Sequence, residues 1–580
     1  MPTALTLSKL WRDAGFKPDE AQEQAILHVD GPLYLPAGPG SGKTRVLLWR
    51  TLNLIVFHGI KPQEIYLSTF TEKAALQLRE GLRFLLGYAS NHTNKHYDIS
   101  QMYVGTIHSL CNRIIQDRRF YPNRERARVP VLMDDLRQYF YLYRNVNWEA
   151  LKEGIDLGDV ANKTINSYFG WASQSRHEAV THCIALFNRF SEECLDVRSA
   201  RRRASDPTLR ALIDMYERYL AQLQPEGGLP QTDLSLLQQN ALNVLKENTP
   251  HSGEVFRHII VDEYQDTNTV QERLFFALAA GHKNLCMVGD DDQTLYRFRG
   301  ATVENFVEFE ERCEQQLGVR PKRIPLSTNY RLRVRIVGFY GDFIGKPNWR
   351  RTGNQGGYYR ITDKDIRARS RDNGVSVVAS TQAKPEEVCV EIAKLVRRLV
   401  DEKKVENPNQ IAFLFPSLKS VQVKRMEEAL KHEGLLVYAP RAGSFLDVDE
   451  SVEVFGLYMK VFGRPSNDFS RGQDHDKYVA WMDRAEARAG ELVQADRRLA
   501  HYIEHLQGQI NDAASDYQIL CRVAERNGWD VKAPYDVRVM KRRLADAAGL
   551  TDKARKLPES ESFEKIALRR AGEHRPFSLG

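Results

Sequence analysis

A phosphate-binding loop that directly follows a short apolar run is the feature that most constrains how this chain folds. The run LYLP is followed by AGPGSGKT, which spans Ala37 to Thr44. In such a loop, backbone N–H groups and the start of a helix hold phosphate oxygens, so the loop lies between a strand and a helix. Lys43 is in the position that reaches the β and γ phosphates, and Thr44 is in the position that ligates Mg²⁺. Ala37 stands where the general pattern has glycine, so the loop needs support from the rest of the chain.

Three further β-rich apolar runs end where another polar motif begins. They are EIYLSTF from Glu64, HIIVDE from His258 and NLCMVGD from Asn284. Continuous apolar runs are typical of parallel strands that are buried on both faces. In an open α/β sheet, ligands bind beyond the carboxyl ends of the strands. We therefore predict an α/β fold in which a parallel sheet gathers these motifs along one edge.

The composition predicts an intracellular protein with several domains. The 580 residues are 42% apolar, which predicts about three or four domains. The net charge of +7 permits a polyanionic partner without requiring one. The seven cysteines are scattered without a CxxC pair, so we expect reduced buried thiols and no zinc or iron–sulfur site. No signal-peptide pattern and no run of roughly 18 apolar residues is recognisable, so we expect a cytoplasmic protein with no membrane partner.

Changes in the pattern of predicted helices and strands divide the chain into regions. Between Arg118 and Arg257 the sequence is polar and favours helices, which predicts an inserted helical domain. A second α/β rhythm begins near Gly374, where the predicted strands VSVVAS, QIAFLFP and LLVYAP alternate with two predicted helices. From Gly463 onward the chain favours helices and is rich in charge. The pattern predicts two α/β regions, each accompanied by helices.

The segment VDEYQDTN puts two carboxylates directly after a predicted buried strand. Asp262 is a candidate ligand of Mg²⁺, directly or through water, and Glu263 is a candidate base that orients and deprotonates an attacking water. The alternative is a solvated acidic turn. The apolar run before these residues and the phosphate loop upstream favour the metal ligand and the base.

Taken together, the ordered motifs resemble the UvrD/Rep type of superfamily 1 DNA helicases. The resemblance implies RecA-like P-loop NTPase domains, an α/β fold with parallel sheets, interrupted by helical insertions. Besides the phosphate loop and the VDEYQDTN segment, it rests on DEAQEQAI around Gln22, STFTEKAALQLR at 68–79, GTIHSL at 105–110, LPQTDL ending at Leu234, VGDDDQTLYRFRGA at 288–301 and LSTNYRL at 326–332.

The resemblance implies a site for ATP and Mg²⁺ with assigned side chains. Gln22 matches the glutamine that reads adenine, and Tyr330 is expected to stack on the opposite side of that base. Gln293 is expected to sense the γ phosphate, and Arg331 matches the family's arginine finger, which accelerates hydrolysis by about 10³- to 10⁵-fold. The remaining nucleotide contacts are expected from the phosphate loop and the residue after it: Ala37, Gly38, Gly40, Ser41, Gly42, Lys43, Thr44 and Arg45.

Three residues are expected to contact single-stranded DNA, namely Phe70, His108 and Phe298. Bases stack on aromatic faces whatever the sequence, and each stack contributes about 1–3 kcal/mol. Without the resemblance, a phenylalanine in apolar surroundings is more often a core residue, and His108 is an interior histidine. Phe298 stands where the family usually has tryptophan, which leaves a smaller stacking face. The arginine cluster from Arg198 to Arg203 is most simply a solvated helix face, with phosphate binding as the alternative.

The family's last two motifs, which complete the ATP site from the second motor domain, have no counterpart after Phe462. We therefore expect the chain to stop inside the helical insertion of that second domain. Four regions are predicted: residues 1–117 with 258–335 as the first RecA-like ATP-binding domain, 118–257 as a helical insertion, 336–462 as the first half of the second RecA-like domain, and 463–580 as part of a helical accessory domain.

The motifs favour an ATP-dependent DNA helicase or translocase. The resemblance implies movement 3′ to 5′ on single-stranded DNA and action at single/double-strand junctions. One alternative is a nucleotide-gated DNA-binding subunit with little ATPase activity of its own, completed by a partner chain that supplies the missing motifs. A helicase–nuclease of the RecB or AddA kind is disfavoured because no carboxylate-rich C-terminal metal domain is recognisable. A kinase or small-molecule ATPase leaves the aromatic and glutamine segments unexplained.

Overall fold

Two compact units make up the chain, residues 1–377 and residues 378–580. The first unit contains the phosphate loop and the motifs predicted to gather around it, and the second contains most of the other predicted α/β region. The computed structural model describes residues 5–121, 129–225, 228–297, 300–351, 356–418, 420–438, 445–464 and 473–528.

The strands of the described residues are short and lie in the first unit. They are β1 Leu33–Pro36, β2 Ile65–Thr69, β3 Tyr103–Thr106, β4 Val131–Leu132, β5 Gln231–Thr232, β6 His258–Val261, β7 Leu285–Gly289, β8 Lys322–Arg323, β9 Thr328–Asn329 and β10 Arg367–Ala368.

A six-stranded parallel sheet forms the centre of the first unit. Its strand order is β3-β2-β6-β7-β1-β8, and every neighbouring pair is parallel. All residues of β1, β2, β6 and β7 are buried, as continuous apolar runs predict. The predicted α/β fold with a parallel sheet is confirmed, together with these four strands. Strands β3 and β8 were not among the runs predicted from the sequence.

Seventeen α-helices accompany this sheet in the described part of the first unit. They are α1 Leu7–Asp13, α2 Glu20–Leu27, α3 Lys43–Val56, α4 Glu72–Thr93, α5 Ile107–Gln116, α6 Asp135–Tyr143, α7 Asn145–Lys152, α8 Ala161–Tyr168, α9 Arg176–Glu192, α10 Val197–Arg203, α11 Pro207–Gln222, α12 Leu234–Glu247, α13 His251–Glu254, α14 Thr269–Ala279, α15 Glu304–Val307, α16 Phe309–Leu317 and α17 Val334–Gly345.

Each face of the sheet has its own apolar core, because successive strand residues point to opposite faces. Leu67 of β2 belongs to the core shared with α3 and α4, where Leu78 is fully buried. The preceding residue, Tyr66, belongs to the core on the other face, shared with α5 and α14, where Phe275 is fully buried. Helices on both faces leave the strand ends as the place where polar side chains meet.

The region between α5 and β6 is helical and has a third core. Trp148, Phe187 and Tyr219 are among its buried aromatic residues. In the predicted arginine cluster, Arg201 of α10 lies 2.5 Å from Asp214 and 2.6 Å from Glu217, both on α11. This pairing agrees with the interpretation of the cluster as a helix surface. The predicted bounds of this domain, 118–257, remain a prediction.

The segment that follows α17 is anchored to the first unit. Strand β10 pairs in parallel with β9, and Arg323 next to them donates two hydrogen bonds to Asp363, at 2.7 and 2.6 Å. The sequence analysis assigned residues 336–462 to a separate domain, whereas residues 336–377 here belong to the first compact unit. The division into four domains stays a prediction, because compactness alone does not define the family's domains.

The second unit contains helices in its described residues. The described parts of the predicted strands VSVVAS, QIAFLFP and LLVYAP do not form strands. The helices are α18 Pro385–Asp401, α19 Val421–His432, α20 Asp449–Phe462, α21 Gln473–Ala495 and α22 Arg497–Asn527.

Helices α18 and α19 are the two helices predicted from the second α/β rhythm. Between and after them, Phe413, Phe415 and Val437 pack against the helices, whereas Leu414 and Leu436 are 93% and 100% exposed. The side chains therefore alternate as in a strand. Yet neither segment is assigned as a strand. A strand requires a neighbour that pairs with its N–H and C=O groups, and periodicity does not supply one.

The described residues after 463 are helical, as their composition predicts. Helix α20 crosses α21 so closely that a Cβ at Gly456 would lie 2.1 Å from the carbonyl oxygen of Ala485. Residues 529–580, also predicted to be helical, lie outside the described residues. In the described part of the chain, no helix has both the length and the hydropathy needed to cross a membrane.

Two leucines of α4 provide a matched test of the packing. Leu78 is fully buried and Leu76 is 51% exposed. We expect Leu78→Ala to lower the free energy of unfolding by about 2–5 kcal/mol, because it removes buried methyl groups and leaves a cavity. Leu76→Ala should change it by less than about 0.5 kcal/mol. Urea denaturation of the purified protein measures both, and equal effects would contradict the packing of α4 on the sheet.

Candidate nucleotide site

The phosphate loop connects β1 to α3, as predicted. Gly40 and Gly42 have φ angles of 67° and 82°, in the left-handed region that favours glycine. A Cβ at Gly42 would also lie 2.9 Å from the side-chain nitrogen of Gln22. Helix α3 then begins at Lys43, so the loop wraps tightly before a helix N-terminus. This geometry suits the binding of phosphate oxygens.

Gln22 lies against the loop and supports its shape. Its side chain is 3% exposed, and its Nε2 donates to the carbonyl oxygen of Ser41 at 2.9 Å. Its Oε1 accepts from the backbone N–H of Asp19, while the Asp19 carboxylate accepts from the backbone N–H of Gln22. These reciprocal bonds form a capping box at the start of α2. The contact of Gln22 with adenine stays a prediction.

Two acidic residues follow β6 and face the lysine of the loop. Lys43 Nζ lies 3.6 Å from Glu263 Oε2. Glu263 adopts a left-handed conformation with φ of 52°, which is uncommon outside glycine and costs on the order of 1–3 kcal/mol. Asp262 is 5% exposed, and burial raises its pKa, with the charge of Glu263 as the second cause. Among the described residues, the cation within ion-pair distance of this acidic pair is Lys43.

The oxygen atoms beside these carboxylates fit a divalent cation. Burial raises the pKa of Asp266 to about 7, with the charge of Glu263 as the second cause. Asp266 Oδ1 and Ser41 Oγ are buried without a hydrogen-bond partner among the described residues. The described residues contain no group of three or more His, Cys, Asp and Glu side chains arranged to hold a metal ion. Mg²⁺ needs only one or two protein ligands when phosphates and water complete its shell, so Asp262 and Thr44 fit it.

Gln293 lies beyond the carboxyl end of β7 and is oriented by a neighbouring carboxylate. Its Nε2 donates to Asp290 Oδ2 at 2.6 Å. The backbone N–H of Asp290 donates to Gln265 Oε1 at 3.0 Å, and Gln265 Nε2 donates to Glu263 Oε2 at 2.9 Å. A chain of hydrogen bonds therefore joins the candidate base to the candidate phosphate sensor.

The residues after β9 dock on the phosphate loop through Asn329. Its Nδ2 donates to the carbonyl oxygen of Pro39 at 2.5 Å, and its Oδ1 accepts from the backbone N–H of Arg331 at 3.0 Å. Tyr330 donates its backbone N–H to Gly40 and its hydroxyl to Asp19 at 2.7 Å. Burial, followed by this hydrogen bond, raises the pKa of Tyr330. Arg331 and Tyr330 are thereby fixed at the rim of the loop.

One cleft of about 700 Å³ brings most of the predicted nucleotide residues together. Four residues that line it were not predicted, namely Gly15, Phe16, Lys17 and Pro39. Phe16 stacks on Trp49 with ring centroids 5.6 Å apart, and the Arg45 guanidinium lies 5.5 Å from the Phe16 ring centre. The predicted residues in the lining are Gln22, Gly40, Ser41, Gly42, Lys43, Thr44, Arg45, Glu263, Gln293, Tyr330 and Arg331.

Three predicted residues do not line the cleft, namely Ala37, Gly38 and Asp262. Ala37 forms an isolated bridge with Leu326 beside the sheet, and Asp262 is buried behind Glu263. Asp19, which contacts Tyr330 and Gln22 outside the lining, was also not predicted. It carried a sequence signal, because a capping residue three positions before a glutamine fits the capping-box pattern.

The sequence that forms this cleft matches the model of a known protein family. The model of the UvrD/REP helicase N-terminal domain matches residues 19–314, slightly more than half of the chain. The chain belongs to the UvrD/REP helicase family. The matched range contains the phosphate loop, the acidic pair and Gln293, so the resemblance drawn from the motifs is confirmed.

Curated relatives of this UvrD/REP family member are DNA helicases. The ATP-dependent DNA helicase PcrA of Staphylococcus epidermidis is 29% identical over 356 residues, which are 59% of this chain and 43% of that protein. The probable DNA helicase II homolog of Rickettsia conorii is 28% identical over 410 residues, 70% of this chain and 54% of that protein. The ATP-dependent DNA helicase UvrD1 of Mycobacterium tuberculosis is 30% identical over 340 residues, 57% of this chain and 39% of that protein. The chain thus spans about half, or less, of the length of each relative.

The predicted DNA-contacting residues of this UvrD/REP helicase chain have different surroundings. Phe70, after β2, is half-buried and stacks on Tyr296 with ring centroids 5.2 Å apart, a partner that the sequence analysis did not predict. His108 lies 3.1 Å from Gln238 Nε2 on α12, and burial lowers its pKa. This is the environment of a satisfied interior histidine, and its contact with DNA stays a prediction. Phe298 lies outside the described residues.

Tyr330 offers a test of the nucleotide site that separates its ring from its hydroxyl. We expect Tyr330→Ala to weaken ATP binding by about tenfold, because loss of a stacking surface worth about 1.4 kcal/mol has this effect. Tyr330→Phe keeps the ring and loses only the hydrogen bond to Asp19, so ATP affinity should stay within about twofold. Isothermal titration calorimetry measures both affinities, and a Tyr330→Ala protein with unchanged affinity would exclude stacking on adenine.

Proposed function

We propose that this chain is an ATP-dependent DNA helicase or translocase that couples ATP hydrolysis to movement on single-stranded DNA. The observation that carries the proposal is the convergence of Lys43, Glu263, Gln293 and Arg331 on one cleft. These groups come from separate segments of the chain, and phosphoryl transfer needs this combination of positioning and charge neutralisation. Membership of the UvrD/REP family and the names of the curated relatives support the same function.

ATP and Mg²⁺ are the proposed cofactors of the site. When bound, Mg²⁺ neutralises charge on the β and γ phosphates. Thr44 and Asp262 are the residues proposed to hold it, and the loop from Ala37 to Gly42 is proposed to hold the phosphates. When phosphates are bound, Lys43 interacts with them instead of with Glu263. The Glu263 carboxylate is then free to act on water. This exchange is supported by the 3.6 Å separation of Lys43 Nζ and Glu263 Oε2.

The proposed hydrolysis assigns one task to each remaining side chain. Glu263 accepts a proton from the attacking water. The neighbouring Gln265 amide orients the Glu263 carboxylate through its hydrogen bond to Oε2. Gln293 presents its amide to the γ phosphate, and Arg331 offsets the charge that develops there. Gln22 and Tyr330 bind the adenine base.

On the DNA side, we propose that the stacked pair of Phe70 and Tyr296 forms a surface for the bases of single-stranded DNA, with His108 and Phe298 as further contacts. Stacking is independent of sequence, which suits a motor that moves over any bases. Movement from 3′ to 5′ and a preference for single/double-strand junctions belong to the same proposal and rest on the family. So does a cytoplasmic location.

A second candidate is a nucleotide-gated DNA-binding subunit with little ATPase activity of its own, completed by a partner chain. It is supported by the side chains of Leu414, Leu436 and Tyr438, which are 93%, 100% and 86% exposed. Large apolar groups exposed to this degree are often covered by another part of the protein or by a partner. Glu263 and Arg331, both present, favour the active motor.

The ATPase reaction distinguishes the two candidates. We expect single-stranded DNA to stimulate ATP hydrolysis by the 580-residue protein. Lys43→Ala should lower kcat by about 10²- to 10³-fold, because it removes a charge aimed at the phosphates. DNA binding at low salt should remain within about twofold, since Lys43 does not face DNA in this proposal. A phosphate-release assay and fluorescence anisotropy give the two measurements. Binding of both ligands without turnover would favour the subunit, and equal loss of both in the variant would contradict the motor.

The aromatic pair gives a separate test on DNA. We expect Phe70→Ala to weaken binding of a labelled oligonucleotide by about 5- to 100-fold, the equivalent of one lost base stack. ATP affinity in the absence of DNA should not change. Phe84→Ala is the matched control, because Phe84 is 65% exposed on α4 and lies outside the proposed surface. Loss of ATP affinity in Phe70→Ala would identify Phe70 as a core residue.

A further inference from the structure

A buried lysine outside the recognised motifs is bound by three consecutive carboxylates. Lys364 is 2% exposed, and its Nζ lies 2.8 Å from Asp290 Oδ1, 2.7 Å from Asp291 Oδ1 and 2.8 Å from Asp292 Oδ2. The side chains of the three aspartates are 0%, 0% and 4% exposed. A lysine so completely removed from water is uncommon, and it persists only when the charge is matched in this way.

Two other groups of the same segment complete the cluster. Arg360 Nε donates to Asp292 Oδ1 at 2.5 Å, and the backbone N–H of Ile361 donates to Asp291 Oδ2 at 2.7 Å. Three negative side chains thus meet two positive ones. Buried ion pairs of this kind add little stability over an apolar cluster of the same volume, so stability alone is a weak reason for them.

The lysine acts on the candidate phosphate sensor through one carboxylate. Asp290 uses Oδ1 to accept from Lys364 and Oδ2 to accept from Gln293 Nε2 at 2.6 Å. An ionised carboxylate only accepts hydrogen bonds, so it selects the nitrogen end of the Gln293 amide and leaves the oxygen end directed elsewhere. Lys364 holds Oδ1, which leaves Oδ2 as the oxygen that accepts from the Gln293 amide. Lys364 therefore determines which way the Gln293 amide points.

The same segment also touches the phosphate loop and β9, the strand that precedes Arg331. The carbonyl oxygen of Lys364 accepts from Ser327 Oγ at 2.6 Å, and β10 pairs with β9 immediately afterwards. The Ile366 side chain fills the space beside Gly38, where an added Cβ would lie 2.4 Å from its Cδ1. One stretch of chain thus contacts three parts of the nucleotide site.

We propose that Lys364 is a positioning residue for ATP hydrolysis, which sets the Gln293 amide through Asp290 so that the site distinguishes the triphosphate from the diphosphate. The inference rests on the proposed ATPase function. Lys364 touches neither nucleotide nor water in this role, and its effect passes through Asp290.

The test compares the affinities for ADP and for AMP-PNP, a triphosphate analogue that is not hydrolysed, in the full-length protein. Lys364→Met removes the charge but leaves three buried carboxylates unmatched, so it can fail to fold. Asp290→Asn keeps the size of the side chain and an oxygen that can cap the following turn, while allowing the Gln293 amide to turn over. Arg360→Gln is the matched control, because it breaks only the ion pair with Asp292 in the same cluster.

In Asp290→Asn, we expect the ratio of the ADP Kd to the AMP-PNP Kd to fall about fivefold or more, to the value of Gln293→Ala, with ADP affinity within about twofold. The double variant should fall no further, because both changes act through one amide. Arg360→Gln should keep the wild-type ratio. Where Lys364→Met folds, it should match Asp290→Asn.

Two results would overturn the inference alone. One is an unchanged ratio in Asp290→Asn beside a lowered ratio in Gln293→Ala. The other is a double variant whose effect is the sum of the single effects, which indicates general damage to the fold. A folded wild-type protein that binds neither nucleotide would overturn the proposed function and, with it, the inference.

Discussion

Parallel pairing of β1 with β7 is the constraint on which the nucleotide site depends. The register sets Pro36 beside Gly289, so the phosphate loop and the turn containing Asp290 leave the sheet at the same level. The pairing of Ser68 with Val261 does the same for the segments after β2 and β6. Parallel strands end together at one edge, and motifs that are more than 200 residues apart in sequence therefore meet. A one-residue slip in this register would turn every side chain to the other face.

Charge dominates the energetics of this edge. Asp262 and Asp266 are held close to Glu263, and burial raises the pKa of both. The carboxylates after β7 are instead matched by Lys364 and Arg360. The two clusters are adjacent in the fold and differ in charge balance. The carboxylates after β7 are paired with Lys364 and Arg360, whereas the carboxylates after β6 have a deficit of positive charge. A bound divalent cation would offset this deficit of positive charge beside the phosphate loop.

The sequence predicted the central sheet and much of the site for physical reasons that also set its limits. Four buried strands and the phosphate loop were predictable, because burial on both faces and left-handed glycines leave local patterns. The family assignment followed from the order of the motifs. Lys364 and Tyr296 left no such pattern, because their roles depend on partners distant in sequence, Asp290 and Phe70.

The second predicted α/β region shows what a local sequence pattern does not predict. Its helices α18 and α19 form where periodicity predicts them, since a helix satisfies its own backbone. Two of its three strand segments, those containing Phe413 and Val437, keep the alternation of side chains. They have no ladder partners among the described residues, because a strand needs partners from elsewhere in the fold. Local pattern therefore predicts the orientation of these side chains and not the sheet they would join.

The exposure of Leu414, Leu436 and Tyr438 has a consequence for the behaviour of the polypeptide in solution. The extended segments that carry these side chains have no strand pairing among the described residues, so their N–H and C=O groups resemble those of a sheet edge, on which a second molecule can add a strand. Self-association of this polypeptide would begin there, and it would grow with concentration. Charged side chains commonly protect such edges from association, and none stands at these three positions. Colloidal stability therefore depends on how these apolar side chains are covered.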